Sequence, residues 1–100
     1  MKVDFLQQLK DINGELIKDE KGNIADLQYF AVNALLAVFN DEQNLAGTEK
    51  VNRWQLAIKI KNSNDDTEFS VEDVALVKKL IGKAYSAVVV GQAWAMLEGK

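Results

Sequence analysis

Asp65 beside Asp66, and Glu72 beside Asp73, are pairs of adjacent acids. Paired carboxylates do general acid–base work when they converge on one substrate and an apolar pocket raises the pKa of one of them. Consecutive residues of a helix diverge by about 100°, so Glu72 and Asp73 do not converge. Their place at the start of a helical pattern instead suits the positive end of a helix dipole. The chain has no histidine and no cysteine. That removes the usual base near neutral pH, the thiolate nucleophile and the common nitrogen and sulfur metal ligands. Neither a glycine-rich phosphate loop nor a G-x-S-x-G elbow is present. The reading is non-enzymatic, with no cofactor.

Oxygen ligands for a hard cation concentrate in Asn62-Ser-Asn-Asp-Asp-Thr-Glu68. A calcium-binding loop of the EF-hand type wants Gly at its sixth position and Glu at its twelfth. Counted from Asn62, those positions hold Thr67 and Asp73. The stretch 19–30 fails in the same way, with Lys21 and Ile24 in ligand and glycine slots. A solvated connector is the expectation for 62–68. For nucleic acid, Lys50, Arg53, Lys59 and Lys61 share one helical segment, but a formal charge of −3 and Glu49 beside them argue against a phosphate-binding face. The two helices of that region are also too far apart for a helix-turn-helix, whose turn takes three or four residues.

These residues must be carried by elements, and the pattern predicts an α+β fold. An N-terminal β-hairpin is expected over 3–18, turned by Asn13-Gly14 in the type I′ geometry that needs positive φ at both positions. About four helices follow, over 27–39, 48–61, 71–81 and 86–97. Asp26, Thr48, Ser70 and Ser86 stand where N-caps belong, and Ser70-Val-Glu-Asp73 reads as a capping box. Gly82 suits the end of the third helix. In the second helix, Val51, Trp54, Ile58 and Lys61 share a side that Leu56, Ala57 and Ile60 widen, while Arg53, Gln55 and Lys59 point away. No internal repeat is apparent. One domain over 1–100 is expected, without a signal peptide or an apolar stretch long enough to span a bilayer. Cytoplasm is the expected location.

The segment 27–39 is apolar at nearly every position, broken only by Gln28 and Asn33. Such a helix is buried on nearly every side, and a small domain has little volume to bury it in. The expectation is a homodimer with an interface drawn from Tyr29, Phe30, Val32, Leu36 and Phe39, with Trp94 as a further contact. The alternative is a central core helix in a monomer.

The runs Leu45-Ala-Gly-Thr-Glu-Lys-Val-Asn-Arg-Trp-Gln-Leu-Ala-Ile-Lys-Ile60, Phe69-Ser-Val-Glu-Asp-Val-Ala-Leu-Val-Lys-Lys-Leu-Ile-Gly-Lys-Ala-Tyr85 and Val89-Val-Gly-Gln-Ala-Trp94 resemble a family of small uncharacterised proteins of tailed bacteriophages and prophages. The resemblance extends to the Asn-Gly turn and implies a phage setting, hence the cytoplasm of an infected cell, without supplying an activity or a site residue. The function expected is a non-enzymatic phage or prophage protein working through protein–protein contact, as an oligomer, assembly or accessory factor. The alternative is a phage regulator that binds a host protein, such as the transcription machinery, or nucleic acid.

Overall fold

A computed structural model describes residues 1–99. Four α-helices follow an N-terminal segment: α1 Leu27–Leu36, α2 Gly47–Lys61, α3 Val71–Ala84 and α4 Ala87–Leu97, with one turn of 3₁₀ helix over Asn40–Glu42 between α1 and α2. The described residues contain no β-strand, so the fold is all-helical and the predicted α+β hairpin over 3–18 is absent. Residues 1–26 instead make isolated antiparallel bridges, Lys10 with Leu16 and Lys18 with Ile24 among them.

The reason lies in the turns. Gly14 has φ +83° but Asn13 has negative φ, so the type I′ turn is not formed. Asp11 organises the loop. Its Oδ1 accepts from the N–H groups of Asn13 and Glu15 at 2.8 and 3.0 Å, while its own N–H donates to Glu15 O and its carbonyl accepts from Gly14 N–H. Asp19 repeats every one of these bonds with Lys21, Gly22 and Asn23. The sequence therefore holds an internal repeat of eight residues, Leu9-Lys-Asp-Ile-Asn-Gly-Glu-Leu16 and Ile17-Lys-Asp-Glu-Lys-Gly-Asn-Ile24. The N–H of Ile17 donates to Leu9 O, and that of Ala25 to Ile17 O. Leu9 and Ala25 are buried and Ile17 packs against the same core. A period of eight, with one backbone bond per step, replaces the alternation that a ladder would need.

This segment is fastened to the helices and to the chain before α3 at several places. Leu27 and Gln28 donate backbone N–H groups to Gln7 O and Phe5 O. The ring of Phe5 meets that of Phe69 edge-on, centroids 5.2 Å apart. Gln92 of α4 accepts from Lys10 N–H at 2.8 Å and donates to Lys10 O at 2.6 Å. Its amide completes the backbone pairing that a neighbouring strand would otherwise supply.

Asp26 caps α1 by accepting from Tyr29 N–H at 2.9 Å. The helix stops at Leu36, earlier than the expected Phe39, because Ala37 turns extended at ψ 150°. That exit brings Phe39 beneath Lys83, whose ammonium lies 4.6 Å from the ring centroid. α2 starts at Gly47 with Ala46 at its N-cap and no side-chain cap, so Thr48 lies inside the helix. α3 carries the complete capping box of Ser70 and Asp73. It also runs on to Ala84, so Gly82 is internal to the helix rather than its terminator. A Cβ there would lie 3.2 Å from Trp94 Cζ2: glycine is the residue that lets the indole seat on α3. Ser86 occupies the N-cap of α4 without a side-chain bond.

Helix α1 packs against α2 and α3, and α3 packs against α4. Leu27, Phe30, Ala31, Ala34 and Leu35 of α1 are buried among Leu56, Ile60, Val77, Leu80 and Ile81. The helix that is apolar all round is thus the central one, with its remaining apolar positions on the outside.

Candidate functional site

Helix α2 presents apolar groups on two sides. Leu56, Ala57 and Ile60 enter the core, whereas Val51, Trp54 and Ile58 stand in solvent with between 46% and 55% of their surface exposed. The expected orientation is therefore corrected. The stripe of Val51, Trp54 and Ile58 faces out, and Arg53, expected to point away, is only 5% exposed.

Arg53 is buried with each of its three guanidinium nitrogens bonded to a carboxylate. Nη1 and Nη2 donate to the two oxygens of Glu42 at 2.8 Å each, and Nε reaches Glu49 at 3.4 Å. A planar fork on a carboxylate satisfies the donors of guanidinium pairwise. Hydrogen bonding from Arg53 holds the Glu42 carboxyl at about 2, and the proximity of Arg53 and Lys83 adds to that. Lys83 of α3 reaches Asp41 at 2.9 Å and Glu42 at 3.5 Å, and its pKa is raised chiefly by the hydrogen bond to Asp41. The 3₁₀ turn is thereby tied to α2 and α3 by charge. The polar pattern of 40–47 gave no sign of this, since a short acidic turn reads as a solvated loop until its cations are placed.

Helices α1 and α2 run antiparallel. Gln28, at the start of α1, donates to Ile60 O and Lys61 O at 3.2 Å, while Leu36, at its end, shares a recess with Lys50 and Arg53. Two hollows lie along this junction. One, of about 260 Å³, is bounded by Leu35, Leu36, Val38, Phe39, Lys50 and Arg53. The other, of about 200 Å³, lies between Tyr29, Val32, Asn33 and Lys61, with Asp26 at its end. Val38 is 91% exposed at the rim of the first. The α1–α2 junction thus has apolar groups of α1 at both hollows, with Arg53 and Glu42 lining the first, and the exposed stripe of Val51, Trp54 and Ile58 stands on the same helix α2.

Of the residues expected at an interface, Tyr29 and Val32 meet at the second hollow, and Leu36 and Phe39 at the first. Phe30 does not belong with them. It is 4% exposed and stacks edge-on between Tyr29 and Tyr85, with centroids 5.2 and 4.9 Å away. Burial beside it pushes the Tyr85 hydroxyl above its ordinary pKa. Trp94 is held elsewhere, on α3, by a 3.0 Å bond from Nε1–H to Lys78 O and by the Lys78 ammonium over its ring. Val51 and Ile58 were the part of the surface missed. Their spacing was read, but as an inward face.

The loop 62–68 is closed by its own side chains. Asn64 Oδ1 accepts from Asp66 N–H, Thr67 Oγ1 accepts from Asn64 N–H, and Ser63 donates to Ile60 O. Among the described residues no group of acids is placed to hold a metal ion, and no helix is long and apolar enough to cross a membrane. Compared with known proteins, the chain matches no family model, no curated sequence and no solved structure.

Proposed function

We propose that this protein acts by protein–protein contact, and that the contact surface is the outer face of α1 and α2. The observation that carries the reading is the exposure of Val51, Trp54 and Ile58 on α2 and of Leu36 and Val38 at and after the end of α1. Large apolar side chains exposed at helical spacing suit a place where another molecule binds, and a tryptophan in the middle of the stripe suits the desolvated heart of an interface. The lack of histidine and cysteine supports a role without catalysis, and the resemblance to phage and prophage proteins supports a setting in which a small accessory or assembly factor would work. The experiment is in-cell photocrosslinking from a benzoyl-phenylalanine placed at Trp54, compared with one placed at Lys79 on the exposed part of α3. A discrete protein adduct from position 54 and none from 79 is expected. Equal, diffuse labelling from both would remove the reading.

A further inference from the structure

The α1–α2 cleft has a charge pattern that its apolar walls do not explain, and resting on the protein-contact reading above, we infer that its occupant is an acidic amphipathic helix of another protein. Along α2, Val51, Trp54 and Ile58 fall within about 60° of one another at 100° per residue, and Lys50 and Lys61 lie along the edge of that stripe nearest α1. Each lysine lines one of the two hollows. Both are exposed. Of the neighbouring acids, Glu42 and Glu49 are paired with Arg53, while Asp26, at the end of the second hollow with Lys61, accepts from the Tyr29 N–H at the positive end of α1. Lys59, on the far side of the stripe, is turned over the Phe69 ring at 4.7 Å. A chain of net charge −3 therefore places a lysine at each of the two hollows along this junction.

The geometry sets the occupant. Two antiparallel helices with an apolar trough between them receive a third helix, whose i, i+3/i+4, i+7 positions enter the trough. Lys50 and Lys61 are eleven residues apart, about 16 Å along the axis. The partner helix should then carry acids about three turns apart, on either side of its apolar positions. A second copy of this chain fits poorly. A two-fold contact pairs a surface with itself, and α2 against α2 about its midpoint would set Lys50 against Lys61 at both ends.

The test uses the full chain and a displayed library of 16-residue peptides. Apolar residues are fixed at i, i+4 and i+7, and all other positions are drawn equally from Glu, Lys, Gln, Ala and Ser. Sorting against the labelled protein should enrich peptides of net negative charge with acids flanking the apolar positions. Their affinity should fall at least tenfold on the Lys50→Glu/Lys61→Glu protein and on Trp54→Ser, with helical circular dichroism unchanged. Should Trp54→Ser fail to fold, the double charge reversal decides alone. Enrichment of neutral or basic peptides, or binding indifferent to these substitutions, would overturn the acidic partner while leaving the protein-contact reading in place. A dimer in sedimentation equilibrium that Trp54→Ser dissociates would do the same, with a second copy as the occupant. No enriched peptide and no self-association would remove both.

Discussion

Arg53 and Glu42 face each other as two planes, nitrogen to oxygen twice at 2.8 Å, although eleven residues and a change of element separate them. The pair sets where the chain returns after α1. The turn at Asn40–Glu42 has no buried residue of its own, so its position depends on this fork, on Lys83 and on Phe39. Loss of the fork should loosen the end of the cleft that Leu36 and Val38 line.

The fork has an acid signature. Glu42 titrates at about 2 in the folded chain against an ordinary 4.5, so its contribution to stability is complete above pH 4.5 and is lost as pH falls through 2. Glu42→Gln should lower the urea midpoint at pH 7, and the gap from the parent should close steadily between pH 4.5 and 2. A gap that stays constant over that interval would show that the carboxylate charge is not what holds the turn.

The two glycine turns should respond at one residue each. Gly14 and Gly22 have φ of +83° and +84°, where a Cβ costs about 1–2 kcal/mol. Gly14→Ala and Gly22→Ala should each destabilise by about that amount in chemical denaturation. Asn13→Ala should be close to neutral, since Asn13 has negative φ and the Asp11 carboxylate contacts only its backbone N–H.

Ser70 Oγ accepts from Asp73 N–H at 3.0 Å, and Asp73 returns a bond to Ser70 N–H at 3.3 Å. Ser70→Ala should cost about 1 kcal/mol. In a double-mutant cycle with Asp73→Ala, the two losses should add to more than the loss of the pair, since the cap is one reciprocal unit.

Helix α1 offers a paired test of inside against outside. Phe30→Ala removes a buried ring from between Tyr29 and Tyr85 and should cost about 3–5 kcal/mol. Leu36→Glu, at a position 54% exposed, should leave the thermal midpoint within a few degrees of the parent. A collapse of the Leu36→Glu fold would place that side chain in the core and close the cleft as a candidate.

The helices were legible because their signals are local. Asp26 and Ser70 cap where their chemistry says they should, and the apolar spacing of Val74, Val77, Leu80 and Ile81 selects the buried face of α3. For α2 the apolar side was drawn too wide: Leu56, Ala57 and Ile60 are buried, but Val51, Trp54 and Ile58 of the same side are exposed. Arg53 takes their place inside, and an arginine weighs against burial until the distant Glu42 is known. The N-terminal segment misled for another reason. Asn13-Gly14 announces a turn, but whether a ladder grows from it depends on what lies beside it, and here Gln92 and the start of α1 take the backbone bonds. The repeat itself is carried by only Lys-Asp-x-x-Gly at an interval of eight, three identities in eight positions, and becomes plain once the Asp11 and Asp19 bonds are seen to match.

That interval has a bearing on descent. Each unit begins with the residue that faces the core, Leu9 or Ile17, and hands over to the next one eight positions later, with Ala25 taking the same place ahead of α1. By this spacing a gain or loss of one whole unit keeps the core-facing residues of the repeat in step, whereas a gain or loss of one residue puts them out of step. Relatives of this chain should therefore differ in length here by multiples of eight or not at all, which makes the segment a ruler on which duplication leaves a countable mark.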